Sequence, residues 1–312
     1  MPTKRGSFRI FRLAGITVYV HWSWFIVAVI MFQIRTHDYS SLIWNALEYL
    51  SLFLIVLVHE FGHQLACRQV GGQTHDIVLW PFGGVAYVSP PQRPGAQLWS
   101  IAAGPLVNVI LAPILATFVS MAWHLGWSDT HHDLYELLKN VYYIDIGLLV
   151  FNMMPVYPLD GGQILRSLLW FVIGRANSLL AASIVGFVGV VGLFALAVSY
   201  YFATNDMVSS GWLGLMAVLI LTNCWRGLTH ARALARIAKI PRREGFACPS
   251  CQAPPPLGAL WRCGKCGNTF DTFLSIGVCP NCQAQFAATQ CLDCGTSSPF
   301  AHWLATPPNS KN

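Results

Sequence analysis

Charge is what this sequence has least of. Only 10% of its 312 residues are Asp, Glu, Lys or Arg, where soluble domains carry about 25%. With 54% hydrophobic residues and a mean hydropathy of +0.50, the composition excludes an ordinary water-soluble enzyme and fits a polytopic membrane protein. Acidic residues are scarcer than basic ones, 13 against 19. The resulting charge of +6 does not point to nucleic acid, because the basic residues flank apolar runs and read as orientation signals. Cysteine is absent between Cys67 and Cys224, which excludes a disulfide framework through most of the chain. Those two lie within or beside apolar runs and read as small hydrophobes.

Against that background Ile55-Val56-Leu57-Val58-His59-Glu60-Phe61-Gly62-His63-Gln64 stands out. Residues four apart share a helix face, so His59 and His63 can hold one metal ion between them. Glu60 is then close enough to act as general base on an attacking water, the H-E-x-x-H arrangement of zinc hydrolases. Such a string also occurs by chance on soluble helices. Here the preceding residues, Leu50 to Val58, are nearly all apolar. Ionisable groups at bilayer depth cost a few kcal/mol or more (roughly 3) and mark functional interiors.

In chain order, Lys4, Arg5, Arg9 and Arg12 lead into an apolar run from Thr17 to Ile34. No small-residue cleavage site follows it, so the expectation is a retained first span. His21 within it reads as an interfacial residue beside tryptophans. A second span covers Trp44 to Cys67 and carries the metal motif in its last third. Residues 70–95 are punctuated by Gly and Pro, and Ile77–Trp80 and Val85–Val88 flank Pro81-Phe82-Gly83-Gly84 as a hairpin. Such backbone cannot face lipid. Further spans are expected at Leu98–Trp123, Leu137–Met153, Leu179–Phe202 and Gly211–Ala231, about six in all, making an all-α membrane protein with a short membrane-associated β hairpin. Gly104 and Pro105 in the third allow close helix approach and a kink. His131 and His132, in a polar loop, receive no role.

Charge asymmetry sets the orientation. The loops carrying Arg35, Asp38, Asp129, Asp133, Glu136, Lys139 and Asp206 lie outside. Inside lie the basic N-terminus, Arg68, Arg93, Arg166, Arg175 and the run from Arg226 to Arg243. Both termini are expected to be cytoplasmic, and His63 lies a few residues from the cytoplasmic end of its span.

A catalytic zinc needs a third protein ligand. Asp160 is the leading candidate, set on the helix-breaking segment Pro155-Val156-Tyr157-Pro158-Leu159-Asp160-Gly161-Gly162. The alternative is an aspartate that caps the following helix. Glu48 and Asp145 are weaker candidates. At this point the chain resembles the site-2 protease family of intramembrane zinc metalloproteases. The resemblance rests on His59-Glu60-Phe61-Gly62-His63 and on Asn152-x-x-Pro155-x-x-Pro158-Leu159-Asp160-Gly161-Gly162, with Gly104-Pro105-Leu106-Val107-Asn108 and Pro81-Phe82-Gly83-Gly84-Val85 also similar. It covers about residues 10–235. It implies zinc bound by His59, His63 and Asp160, with Glu60 as general base. It also implies membrane-spanning substrate segments cut in or near the bilayer. Neither a PDZ-like insertion nor a nucleotide-sensing module of the kind some members carry is found. Asn152 and Asn108, polar within apolar surroundings, are candidate oxyanion donors, or amides bonding a neighbouring helix. An unwound substrate could add as a strand to the segment 77–88.

Residues 241–312 form a second unit, after a transmembrane metalloprotease domain of residues 1–240. Cys248-x-x-Cys251, Cys263-x-x-Cys266, Cys279-x-x-Cys282 and Cys291-x-x-Cys294 supply eight thiolates, enough for two structural zinc sites of a double zinc ribbon in a reducing compartment. The simplest pairing is sequential, the first two pairs on one ion and the last two on the other, with an interleaved arrangement left open. Arg262 and Lys265 are matched by Asp271 and Asp293, so nucleic acid is not the expected partner. A protein partner, a substrate tail or the cytoplasmic mouth is. Two other functions compete with an endopeptidase acting on single-span proteins in the bilayer. A non-enzymatic scaffold would not need Glu60, and a metal transporter would show repeated halves, whereas the motif occurs once.

Overall fold

The computed structural model describes residues 6–34, 39–80, 83–157 and 159–304. Lys4, Arg5, Arg35, Asp38, Pro81, Phe82 and Pro158, which figure in the sequence reading, lie outside these. The chain opens with strands β1 (Ser7–Leu13) and β2 (Ile16–His21), followed by a 12-residue helix, α1 (Ser23–Ile34). Helix α2 (Leu42–Gln69) leads to strands β3 (Gln73–Trp80) and β4 (Gly83–Ser89). Then come α3 (Pro94–His124), the one-turn α4 (Trp127–Thr130), α5 (His132–Met153), α6 (Asp160–Thr204) and α7 (Met207–Ala238). Helix α6 is two segments joined at Gly174, whose φ of 76° and ψ of 172° interrupt the helix.

The first apolar run is therefore not one span, a correction to the expectation for Thr17–Ile34. Its first part alternates, with Ile16, Val18 and Val20 buried and Thr17 and Tyr19 half-buried, the period of a strand. Hydropathy alone does not distinguish a β-branched strand from the start of a helix. The expected hairpin is likewise part of something larger, a four-stranded sheet in the order β1-β2-β3-β4. β2 and β3 run parallel, with Val18 opposite Ile77 and Val20 opposite Leu79, and the other two pairs are antiparallel. Ile16, Val18, Val20, Ile77 and Leu79 pack on Val56 and Leu57 of α2. The sheet thus leans on the turn of α2 just before the metal motif. The architecture is mainly helical with small sheets.

Four helices among the described residues are long and apolar enough to cross a membrane: α2, α3, α6 and most of α7. Helix α2 shows the polarity expected of a helix between lipid and a polar interior. Leu47, Leu50, Leu54, Val58 and Leu65 are exposed, while Asn45, Glu48, His59, Glu60, His63 and Gln64 are buried. His21 is also buried, its ring stacked 3.9 Å from that of Trp80 and its Nδ1 2.5 Å from Ser23 Oγ, which places it in the sheet rather than at any ligand cluster.

After Pro241 the tail packs around Phe273, whose ring meets Phe246, Trp261, Phe300 and Trp303 edge-on at 4.9–5.7 Å. Two short hairpins, β5 (Trp261–Arg262) with β6 (Thr269–Phe270) and β7 (Ala288–Gln290) with β8 (Ser297–Pro299), carry two of the four cysteine pairs.

Candidate functional site

Three side chains from two distant parts of the chain meet. His59 and His63, one turn apart on α2, bring their Nε2 atoms within 3.2 Å of each other. Asp160, in the first turn of α6, places Oδ2 3.0 Å from His59 Nε2 and 3.4 Å from His63 Nε2. Leu159, not Asp160, is the N-cap of that helix, and the Asp160 carboxylate faces the two histidines. The loop before it folds tightly under the helix start. Cβ atoms at Gly161 or Gly162 would overlap the backbone of Met153 and Met154 or of Val156 and Tyr157. Val156 is held by Val190, Ala217, Ile220 and Cys224, and the Cys224 thiol donates to the Tyr157 carbonyl at 2.9 Å. Cys224 is thus more than filler, since it ties α7 to the loop that precedes Asp160.

The hydrogen-bond partners fix what the cluster can hold. His63 Nδ1–H donates to the Ser100 carbonyl at 2.9 Å, and His59 Nδ1–H to Asn108 Oδ1 at 2.6 Å. A neutral imidazole that donates from Nδ1 has a bare lone pair at Nε2. With both rings neutral, two lone pairs and a carboxylate oxygen converge on one point, the donor set of a metal cation. Ligands about 2.0–2.1 Å from a tetrahedral zinc lie about 3.3–3.4 Å apart. The observed edges of 3.0–3.4 Å fit that ion.

Two glycines make room for the cluster. A Cβ on Gly104 of α3 would strike His63 Nε2 and Cε1 and His59 Nε2. On β4, a Cβ on Gly84 would overlap the side chain and carboxylate of Glu60. Glu60 is 6% exposed. The backbone of the edge strand β4 thus passes directly over the carboxylate next in sequence to His59. The sequence marked Gly84 only as turn punctuation and Gly104 only as a helix contact; their close approach to the site depends on tertiary packing.

The remaining candidates separate. Asn108 is fully buried, with its Oδ1 facing His59 and its Nδ2 donating to Asp145 Oδ1 at 2.7 Å. Its amide is engaged behind the histidine. Asn152, half-buried in the last turn of α5, makes no side-chain hydrogen bond among the described residues. Neither weaker ligand candidate joins the cluster. Glu48 accepts from the Tyr39 hydroxyl at 2.5 Å and from Asn140 Nδ2 at 3.3 Å, and Asp145 lies beyond Asn108.

In the tail the thiols form two four-sulfur groups, and the pairing is nested rather than sequential. Cys248 and Cys251 join Cys291 and Cys294, while Cys263 and Cys266 join Cys279 and Cys282. Sulfur–sulfur distances of 3.6–3.8 Å match a tetrahedron of Zn–S bonds of about 2.3 Å, whose edge is about 3.8 Å. They exclude disulfides, whose bond is about 2.0 Å. Nesting follows from the fold, because closing Trp303 and Leu304 back onto Ala247 and Phe246 brings the first and last pairs together. All four pairs build one turn. The first cysteine's N–H donates five residues ahead, and its carbonyl accepts from the residue after the second cysteine. That residue has positive φ in every case: Gln252, Gly267, Gln283 and Gly295. Sequence inspection noticed only the glycines. The backbone N–H of Asn268, followed by the Asn281 side chain, draws the exposed Cys266 thiol down to about 6.

The same residues fall where the chain is similar to known proteins. The family model "Peptidase family M50" matches residues 48–130 and 119–196, which include His59, Glu60, His63, Asn108 and Asp160. A zinc metalloprotease of Methanocaldococcus jannaschii is 31% identical over 180 residues, 58% of this chain and 50% of that protein. Stage IV sporulation protein FB of Bacillus subtilis is 34% identical over 119 residues, 37% of this chain and 38% of that one. The chain thus spans about half the length or less of these two relatives. The solved site-2 protease from Methanocaldococcus jannaschii aligns with a TM-score of 0.49 at 23% identity, over 71% of this chain and 95% of that one. With the H-E-x-x-H face and Asp160 both inside the matched region, the part of the chain that carries the site is similar to peptidase family M50.

Proposed function

We propose that the protein is an intramembrane zinc endopeptidase that cuts single-span membrane proteins in or near the bilayer. The observation that carries this reading is the convergence of two histidine lone pairs and the Asp160 carboxylate beside Glu60. Zinc held there would supply Lewis acidity toward a peptide carbonyl and its water. Glu60, adjacent and nearly buried, takes the proton of the attacking water and returns it to the leaving amine. Asn152 is the better oxyanion donor of the two candidates, because Asn108 already spends its amide on His59 and Asp145.

Substrate presentation falls to β4. It is an edge strand of the sheet and its backbone passes Glu60 at Gly84. A helix in the bilayer hides its carbonyls in its own hydrogen bonds, so a substrate must unwind before attack. Pairing its extended segment with β4 would satisfy the freed backbone beside the base. Replacing Val85 or Tyr87 with Pro is expected to lower cleavage with zinc content unchanged.

Residues 1–240 are the membrane protease domain, in which α5, at 22 residues, joins the four long helices as a span, and residues 241–312 are the zinc-ribbon unit. One zinc is catalytic and two are structural. Both termini face the cytoplasm and the site lies near that side. The ribbon's role is to hold a protein partner or a substrate tail. Arg242 pairs with both Asp293 oxygens and Arg243 with Asp271, so these two arginines are neutralised within the unit.

The test is reconstitution of the full chain in vesicles with a panel of single-span substrates. Cleavage is expected, lost on chelation and restored by zinc. No cleavage of any member by the zinc-loaded chain would favour a scaffold.

A further inference from the structure

Asp145 sits midway along α5, fully buried, and is not a ligand. Its Oδ1 accepts the Asn108 amide N–H at 2.7 Å, and Asn108 Oδ1 accepts from His59 Nδ1 at 2.6 Å. Its Oδ2 is buried with no partner among the described residues. A carboxylate left half-satisfied in a membrane interior is costly, so a role beyond linking two helices is called for. We infer that Asp145 is a positioning residue for the metal centre, acting through Asn108 to hold His59 with its lone pair on Nε2, where the ion binds. The inference rests on the metal reading above.

The reasoning is one of donors and acceptors. An asparagine amide can present either its oxygen or its NH2 to a neighbour, and the two orientations have the same shape. A carboxylate oxygen that accepts decides the matter: the NH2 must face Asp145, so the carbonyl must face His59. His59 must then donate from Nδ1, which leaves Nε2 bare. Without Asp145 the amide is free to turn over and offer its NH2 to Nδ1. The imidazole proton then belongs on Nε2, pointing at the ion's position. His63 needs no such device, because its Nδ1–H donates to the Ser100 backbone carbonyl, which cannot turn over. Asp145 therefore governs one ligand of three. Partners behind metal-ligating histidines of this kind typically alter metal affinity about 10- to 100-fold.

The experiment follows zinc release from the full-length protein into excess chelator, with the phase abolished by His63→Ala assigned to the membrane site. Asp145→Leu is expected to speed that phase about 10- to 100-fold, with tail zinc and melting temperature unchanged. Asp145→Asn, whose own amide can turn its oxygen to Asn108, is expected to restore most of the loss. Because Asp145 acts through Asn108, adding Asp145→Leu to Asn108→Ala is expected to cost nothing more. Wild-type release from Asp145→Leu overturns the inference. So do equal losses in the Leu and Asn variants accompanied by lowered melting temperatures, the mark of a purely structural residue. Should Asp145→Leu fail to fold, a loss in Asp145→Asn as large as that in Asn108→Ala also overturns it. A wild-type chain with no chelatable zinc outside the tail defeats the metal reading itself, a separate outcome.

Discussion

Gly104→Ala tests how tightly the backbone of α3 sets the cluster. A Cβ there would lie 2.8 Å from His59 Nε2 and closer still to His63, where ordinary contact begins at 3.4 Å. His59 must therefore retreat by at least 3.4 − 2.8 = 0.6 Å, and His63 by more. The helices are in close contact here, a Cβ on Gly62 lying 2.7 Å from the Ala103 carbonyl oxygen, so parting them to absorb the shift would open the α2–α3 seam. Metal–ligand distances tolerate about 0.2 Å, so the displacement exceeds the tolerance about threefold. The methyl itself favours the helix by about 1 kcal/mol, so the fold is expected to survive. Zinc in the purified full chain should fall from about three per molecule to about two, the pair of tail sites being untouched. Cleavage should fall about 100-fold or more, the usual cost of a misplacement near 1 Å. Elemental analysis with chelator trapping reads the first quantity and a vesicle assay the second. Three zinc ions per chain, released at the wild-type rate, would refute the reasoning.

Gly84→Ala should act on the base instead of the metal. Its methyl overlaps Glu60, so cleavage is expected to drop about 100-fold while zinc stays at the wild-type level; joint loss of zinc would show that Gly84 also bears on the ligands. The nested pairing makes a counting prediction. Cys248→Ser with Cys294→Ser removes two ligands from one group, so one tail zinc is lost and the other kept. A chain with sequential pairing would lose both.

What was legible in the sequence was local chemistry. His59, Glu60 and His63 could be read because a helix puts residues four apart together whatever surrounds it. Asp160 could be read because an acid on a Pro/Gly break amid apolar residues has few other uses. What was not legible depended on distant partners. Thr17 to Val20 became a strand because β3, more than fifty residues later, pairs with it in parallel. The cysteine nesting depends on Trp303 closing the tail on Ala247. Asp145 finds its partner on another helix for the same reason, and Asn108 takes the second of its two expected roles, an amide bonding neighbouring helices.

The central claim, that Glu60 is the base beside a metal held by His59, His63 and Asp160, is tested most directly by Glu60→Gln. Cleavage and zinc content are measured on the same vesicle preparation. The account predicts zinc unchanged and cleavage lowered by about 10²- to 10⁴-fold. Cleavage at the wild-type rate with the glutamine in place would contradict it.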